Sequence, residues 1–276
     1  MELALILFLS IIVLAFISEY IDAAMGMGYG TILSPILIIM GFNPLVSVPA
    51  ILLSQALGGF SASVFHHKFK NASFKTNSKD MKIALVIIFS GISATILATC
   101  IAISIPSIVV KTYIGSLVVL VGCVLIFNIT SMFSWKKIVA LSILSAFNKG
   151  ISGGGFGPIL TGGQIIAGQD HKNAVAVTTL AEAPICIISF LTYLIANANA
   201  SLSTSIFKSS FNELLAKLFS PQVFHLELTL ALIIGAILGA PLGALLTKKL
   251  KKHLMKRILG FLILLLGIWS LYKTYF

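Results

Sequence analysis

Two stretches decide the fold of this chain: residues 21–41, IDAAMGMGYGTILSPILIIMG, and residues 148–168, NKGISGGGFGPILTGGQIIAG. In each stretch a glycine-rich break precedes an apolar run of roughly eleven residues, which covers only about half of a 30 Å bilayer at about 1.5 Å per residue. Short, glycine-interrupted apolar segments at matching places in two halves of a chain point to the binding site of a membrane transporter.

The composition of the 276-residue chain places it in a membrane. Hydrophobic residues make up 58% of the chain, charged residues make up 10%, and the mean hydropathy is +1.06. A soluble protein carries about a quarter charged residues, so this composition excludes a soluble fold, and with it the disordered, fibrous and disulfide-scaffold classes. We therefore predict an all-α polytopic membrane protein with about 8–10 membrane segments.

The apolar stretches give the order of these segments. About six to eight of them are long enough to cross the hydrocarbon region, whereas those at 31–41 and 158–168 are too short. The N-terminus lacks a positive region and a cleavage site, so it is predicted to be a retained segment rather than a signal peptide. The stretches lie at about 3–24, 31–41, 45–65, 82–105, 107–128, 136–147, 158–168, 173–196, 226–247 and 257–272.

The two glycine-rich stretches belong to an internal duplication. With a shift of 127 residues, residues 11–56 align with residues 138–183, and 14 of 46 positions are identical, against roughly four expected from composition. Chance overlap of Ile-, Leu- and Gly-rich helices is the alternative. We predict a first membrane repeat at 1–130 and a second at 131–276. The matched glycines are Gly26/Gly153, Gly28/Gly155, Gly30/Gly157 and Gly41/Gly168 at a shift of 127, and Gly115/Gly260 and Gly122/Gly267 at a shift of 145.

Basic residues predict the orientation. The loop at 66–82 carries five lysines and the loop at 247–257 carries six basic residues; with three further lysines, 14 of the 19 basic residues fall on one side, which the positive-inside rule assigns to the cytoplasm. The counterpart of 66–82 in the second repeat, at 197–224, is then external, so the two repeats are predicted to be inverted and both termini external. The three further lysines are Lys136, Lys137 and Lys172.

The breaks are predicted to bind the substrate. Glycine lets the chain unwind, and the half-helices that begin near Thr31 and Pro158 then present free N–H groups and the positive end of a helix dipole. Two such ends that converge near the middle of the membrane form a site for an anion. Close helix packing through small residues is the alternative. The predicted substrate-binding residues at the breaks are Gly26, Met27, Gly28, Tyr29, Gly30, Thr31, Gly153, Gly154, Gly155, Phe156 and Gly157.

Ionisable residues within the apolar segments are expensive in a membrane and are the next candidates. Asp22 and Lys149 are equivalent in the two repeats; they could form a salt bridge, or Lys149 could face the substrate anion while Asp22 takes a proton. We favour the substrate as the partner of Lys149, with an acid holding the site when it is empty. Gln55 and Glu182 are also equivalent, and are predicted to handle substrate or protons, or else to join helices by hydrogen bonds. Two more substrate-binding candidates are Asn148 and Thr179. The proton-coupling candidates are Asp22, Glu182 and Glu19.

The remaining polar residues carry no sign of other chemistry. His66 and His67 are predicted to form a solvated rim, and residues 201–220 either an amphipathic interfacial segment or a plain loop. The chain has no metal-ligand spacing and no HExxH, GxSxG or Walker motif, so we expect no metal, no cofactor and no enzyme, and no nucleic-acid partner. The cysteines are predicted to be small core residues: Cys100, Cys123 and Cys186.

Both glycine segments resemble a known family. Residues 21–71, IDAAMGMGYGTILSPILIIMGFNPLVSVPAILLSQALGGFSASVFHHKFKN, resemble the first repeat of the TauE/SafE sulfite-exporter family, also called the toluene sulfonate uptake permease family. Residues 147–184, FNKGISGGGFGPILTGGQIIAGQDHKNAVAVTTLAEAP, are similar to its second repeat. The resemblance implies export or uptake of sulfite, sulfonates, sulfoacetate or other small organic anions. Gln55 stands where relatives with this motif often have Glu, which shifts any proton role towards Glu182.

These observations together predict a secondary transporter for a small, sulfur-containing anion in the cytoplasmic membrane, with proton coupling as one option. The alternatives are an anion channel with a fixed pore and, with less support, an intramembrane enzyme. The expected partners are the anion and the lipid bilayer, and the sequence carries no signal for an oligomeric state.

Overall fold

A computed structural model describes residues 2–126, 134–166, 169–200, 225–247, 249 and 252–276. All regular structure in these residues is helical, as predicted. The helices, labelled in chain order, are α1 (Glu2–Met25), α2 (Tyr29–Ile39), α3 (Pro44–Lys68), α4 (Lys79–Ser104), α5 (Ser107–Ile126), α6 (Trp135–Ser152), α7 (Phe156–Ile166), α8 (His171–Ala200), α9 (Leu226–Leu246) and α10 (Lys252–Tyr275).

Helix length divides these elements into two kinds. Within the described residues, six helices are long and apolar enough to cross a membrane: α1, α3, α4, α5, α8 and α9. The helices that follow the glycine breaks, α2 and α7, have 11 residues each. Each begins two residues earlier than predicted, at Tyr29 and Phe156, because an aromatic residue with helical backbone already starts the first turn.

The two halves of the chain use the same packing partners. Helix α1 packs along α9, and its counterpart α6 packs along α4; likewise α3 packs along α9, and α8 along α4. The pairs α3–α8 and α5–α10 join equivalent helices of the two halves. The breaks and their half-helices therefore lie in the middle of a bundle that both halves build.

Small residues let α1 and α9 approach closely. A β-carbon added at Gly235, Gly239 or Gly243 would lie 2.4–2.5 Å from a backbone carbonyl oxygen of α1. These three glycines are four residues apart and therefore lie on the same face of α9. A face of small residues is typical of membrane helices that associate by van der Waals packing. The outer faces carry large apolar side chains such as Phe89, 72% exposed, as expected for surfaces that meet lipid.

Three predictions about individual side chains need correction. His66 is buried and hydrogen-bonded to the side chain of Asn71, because α3 continues to Lys68 and carries His66 into the bundle; of the two predicted rim residues only His67 is exposed. Cys186 is buried as predicted, but Cys100 is exposed on the outer face of α4 and Cys123 is half-buried, since an apolar run is not always turned inward.

Helices take in basic residues at two places. Lys136 and Lys137 lie in the first turn of α6, and α10 already begins at Lys252, within the loop predicted at 247–257. Lysine is a good helix former, and its long side chain can reach water from a helix end. Residues 201–220, predicted to form either an amphipathic interfacial segment or a plain loop, lie outside the described residues.

Candidate functional site

The two glycine breaks are in direct contact. A β-carbon added at Gly30 would lie 1.6 Å from the carbonyl oxygen of Gly153, and one added at Gly157 would lie 2.2 Å from the carbonyl oxygen of Gly26. Because Gly30 is equivalent to Gly157 and Gly26 to Gly153, the same contact occurs twice with the repeats exchanged. Only glycine permits this approach of backbone to backbone.

The backbone conformation at the breaks also requires glycine. Gly26 and Gly153, which are equivalent, have φ of 69° and 70°, and the second equivalent pair, Gly28 and Gly155, also has positive φ. Residues with a β-carbon avoid this region of backbone conformation. Glycine at these positions therefore ends α1 and α6 and lets the chain turn into α2 and α7.

Two hydroxyl groups that the sequence analysis missed join the breaks. Ser34 Oγ donates to the carbonyl oxygen of Ser152 at 2.5 Å, and Thr161 Oγ1 donates to the carbonyl oxygen of Gly26 at 2.7 Å. Ser34 and Thr161 are equivalent at the shift of 127, so that alignment could have found them. Each hydroxyl satisfies a carbonyl that the unwound backbone leaves without a helical partner.

The N-terminus of α2 already holds a carboxylate. Asp22 Oδ1 accepts a hydrogen bond from the backbone N–H of Tyr29 at 3.1 Å, at the position where an anion is favoured by the helix dipole. The equivalent of Asp22 at the second break is Lys149, which cannot play this part. The two half-helices are thus alike in backbone and opposite in the charge placed before them.

Lys149 is fully buried and joins three helices. Its Nζ lies 2.7 Å from Glu182 Oε1 of α8 and donates a hydrogen bond to Gln55 Oε1 of α3. Gln55 also lies close enough to Asp22 for the two side chains to interact, so one polar network runs from the N-terminus of α2 to α8. Lys149 and Asp22 are linked through Gln55, and the direct ionic partner of Lys149 is Glu182.

Glu19 extends this network as a buried carboxyl group. It is fully buried, and neither of its carboxyl oxygens has a hydrogen-bond partner among the described residues. It packs against Gly58 of α3 and Gly239 of α9, and it is close enough to Asp22 and Glu182 to interact with them electrostatically. A buried carboxyl group without hydrogen-bond partners is costly, which makes Glu19 a candidate for a functional role.

The other predicted residues lie around this centre. Thr31 Oγ1 accepts from the backbone N–H of Gly155 at 3.1 Å, and Asn148 Oδ1 accepts from Tyr113 of α5. Thr179 donates to the carbonyl oxygen of Val175 in its own helix, at 3.0 Å. The predicted substrate-binding and proton-coupling residues are all buried.

These residues can hold an anion. Lys149 supplies a positive charge, the breaks supply backbone N–H groups, and burial strengthens both because little water competes. In this structure the carboxylate of Glu182 neutralises the Lys149 cation. Ionisable side chains inside a membrane bundle mark substrate and ion pathways.

Comparison with known proteins is in line with this geometry. A family model described as "Sulfite exporter TauE/SafE" matches residues 11–270. A curated relative from Bacillus subtilis (strain 168), "Probable membrane transporter protein YtnM", is 25% identical over 165 residues, which cover 55% of this chain and 53% of the relative. The match therefore spans about half the length of that relative. No solved structure matches the chain.

Proposed function

The chain belongs to the sulfite exporter TauE/SafE family of membrane transporters, and on that premise we propose that it is a secondary transporter for a small, sulfur-containing anion such as sulfite, a sulfonate or sulfoacetate. The match extends over nearly the whole chain, and the six long apolar helices make it a multi-pass membrane protein. The sulfur-containing anion as substrate and the coupling to protons are parts of the proposal.

The buried cation Lys149 carries the proposal. A lysine in the hydrocarbon region costs several kcal/mol on insertion scales unless something compensates it, so its retention at the meeting point of two helix breaks calls for a function. Lysine binds an anion as a point charge, and a sulfite or sulfonate group offers several oxygen atoms to it. Glu182 is then the internal anion that neutralises Lys149 when no substrate is bound.

Proton coupling follows from the same ion pair. When Glu182 takes a proton, its attraction for Lys149 falls and the amine becomes available to the substrate. Anion and proton then enter the site together. Glu19 and Asp22 are two further buried carboxyl groups, close enough to this ion pair to interact with it electrostatically, and are candidates to relay the proton.

The proposed transport cycle alternates access to this site across the membrane. We propose that the repeats are inverted, and the reciprocal contacts Gly30–Gly153 and Gly157–Gly26 support a two-fold relation between them. A pseudo-two-fold axis in the membrane plane would place the site near the middle of the bilayer, where one repeat can rock against the other. Residues 66–82 and 247–257 face the cytoplasm in this scheme.

A carrier is favoured over a channel with a fixed pore. The side chains of Lys149 and Glu182 are 1% and 5% exposed, and the breaks pack on each other without room for a β-carbon. A permanently open pore needs a water-filled path past its selective residues. An occluded site needs a conformational change for each anion, which is the property of a carrier.

The test is transport by purified protein in proteoliposomes. Radiolabelled sulfite, a sulfonate and sulfoacetate are compared with acetate and phosphate. Each is tested with and without an inward proton gradient, in which the outside of the vesicles is more acidic. We expect saturable uptake of one sulfur-containing anion, stimulation by the gradient, and counterflow when the vesicles are preloaded with unlabelled anion. Saturable transport of acetate or phosphate alone would overturn the substrate class, and flux without counterflow would overturn the carrier. Vesicles with Lys149→Met/Glu182→Gln protein, which lacks both charges of the ion pair, serve as the matched control.

A further inference from the structure

A polar cavity lies away from the breaks, at the connection between α3 and α4. Its volume is about 580 Å³, and its lining includes Lys70 and Lys75 from this connection, Lys68 from the end of α3 and Asn173 from the first turn of α8. The three lysine side chains are exposed, and the exposed His67 lies beside them. None of these residues belongs to the network around Lys149.

The cavity is built by a connection with fixed geometry. Lys70 is the non-glycine residue with positive φ, at 59°, in the described part of the chain. Neighbouring hydrogen bonds hold it there: Asn71 N–H donates to the carbonyl oxygen of His66 at 2.9 Å, and the Asn71 side chain donates to the carbonyl oxygen of Ala244 at 2.8 Å. With the hydrogen bond from Lys70 N–H to the carbonyl oxygen of His67 at 3.1 Å, this is the Schellman arrangement that commonly ends an α-helix, and it fixes the direction in which the connection leaves α3.

The second half of the connection is tied down as well. Asp80 accepts from the backbone N–H of Ser73 at 2.8 Å and from the side chain of Asn173 at 2.9 and 3.0 Å, which joins the connection to α8. His67 Nδ1 accepts from the backbone N–H of Phe74 at 3.1 Å. The lysines therefore extend from a pre-organised frame, which lowers the entropy cost of binding a ligand.

The charge of the cavity selects an anion. Its lining contains three lysines and one carboxylate, Asp80, and both oxygens of that carboxylate are already used by hydrogen bonds within the frame. The ammonium groups of the three lysines can each donate hydrogen bonds to a ligand. A ligand with several negatively charged oxygen atoms, such as a phosphate, fits these donors. This excess of positive charge is independent of the transport site.

The position of the cavity indicates where that phosphate comes from. Lys68 is the last residue of α3, Lys79 begins α4, and Asn173 lies at the start of α8; all three helices are membrane-spanning by length and composition. Their ends lie where hydrocarbon gives way to lipid headgroups. Basic pockets between membrane helices at this level bind anionic headgroups. We propose that this cavity is a binding site for the phosphate of an anionic phospholipid.

The test compares soluble lipids on the full-length protein in a neutral detergent. Dihexanoyl-phosphatidylglycerol, dihexanoyl-phosphatidylcholine and glycerol phosphate are titrated, and the shift of the thermal unfolding midpoint gives the affinity. We expect phosphatidylglycerol to raise the midpoint more than the other two. The variant Lys68→Gln/Lys70→Gln/Lys75→Gln is expected to bind phosphatidylglycerol at least about tenfold more weakly, since each lysine near an anionic lipid contributes about fivefold.

A matched variant separates the cavity from the general basic surface. Lys82→Gln/Lys136→Gln/Lys249→Gln removes three exposed lysines from the same predicted side of the membrane and leaves the cavity intact. It is expected to bind phosphatidylglycerol as the parent does. The single change Lys75→Gln, at an ordinary backbone position, is expected to weaken binding by about fivefold and covers the case in which the triple cavity variant does not fold.

Three outcomes would overturn the proposal. Equal stabilisation by phosphatidylglycerol and phosphatidylcholine would show that the cavity does not distinguish an anionic headgroup from a zwitterionic one. An equal loss in the cavity variant and the matched variant would assign the effect to overall surface charge. Glycerol phosphate as effective as the lipid would identify a free phosphate ligand in place of a membrane lipid.

Discussion

Gly30 and Gly153 meet so closely that a β-carbon on Gly30 would lie 1.6 Å from the carbonyl oxygen of Gly153. The residues are 123 positions apart in the sequence and belong to different breaks. Their contact fixes the two half-helices relative to each other, and Gly157 and Gly26 repeat it on the other side of the pair. The two breaks therefore form one structural unit, because the backbone of each break packs directly against the backbone of the other.

The first prediction concerns this contact. Gly30→Ala should destabilise the protein by about 1–3 kcal/mol, at the upper end of the range typical of overpacking, because the carbonyl oxygen it meets belongs to the backbone and cannot rotate away. The thermal unfolding midpoint of purified protein measures this. Gly162→Ala is the matched control, since no atom lies within 4 Å of a β-carbon there. Equal midpoints for the two variants would contradict the prediction.

The second prediction concerns Lys149 as the anion-binding charge. Lys149→Met should weaken binding of the transported anion by about tenfold to a hundredfold, the range expected for a hydrogen bond to a charged group, while Lys149→Arg should keep part of the affinity. Calorimetry or thermal shift with purified protein measures the affinity.

Lys149→Met alone also leaves Glu182 buried without its partner, which is strongly destabilising, at about 3–5 kcal/mol. The double variant Lys149→Met/Glu182→Gln removes both charges and is the control for stability. If the stable double variant binds the anion as tightly as the parent, Lys149 is a structural ion-pair partner, and backbone and hydroxyl donors alone hold the substrate.

The third prediction concerns Glu182 as the competing internal anion. Its carboxylate lies 2.7 Å from Lys149 Nζ, so Glu182→Gln should free the amine and tighten anion binding at neutral pH. The affinity of the parent and of Glu182→Gln for the transported anion, measured by calorimetry under the same conditions, tests this. A variant that binds the anion no more tightly than the parent would argue against the exchange.

The fourth prediction concerns Asp22. Its carboxylate caps the N-terminus of α2 through Tyr29 and joins the network through Gln55, without a direct ion pair to Lys149 among the described contacts. Asp22→Asn should therefore alter the pH dependence of transport more than the affinity for the anion. Uptake by proteoliposomes at several pH values, alongside equilibrium binding, tests this. A large loss of affinity with an unchanged pH profile would place Asp22 in the anion site itself.

The fifth prediction is the orientation in the membrane. In a protein without its natural cysteines, a cysteine at position 205 should react with an impermeant reagent added outside the cell, and cysteines at positions 75 and 251 should react only after the membrane is opened. The reason is that 14 of the 19 basic residues are predicted to lie on one side, which the positive-inside rule assigns to the cytoplasm. The reverse pattern of labelling would invert the topology.

Much of the fold could be read from the sequence because its signals are local. In the described residues, each of the ten apolar stretches forms a helix. The glycine runs marked the breaks to within two residues, because glycine has no β-carbon and readily adopts the non-helical backbone conformations that a break requires. The alignment of the two halves brought Asp22 into register with Lys149 and Gln55 into register with Glu182. All four residues lie in one network.

Only the tertiary structure decided which residues come into contact when their helices are distant in the chain. Periodicity and composition could not show that Lys149 pairs with Glu182 in place of Asp22, that Ser34 and Thr161 bind the opposite breaks, or that His66 is buried. The sequence by itself determined the membrane environment, the helices and the two breaks, since these depend on hydrophobicity and on glycine backbone freedom. Which charges face each other was decided by the packing of the bundle, because a buried charge takes the partner that the helix faces bring within hydrogen-bonding distance.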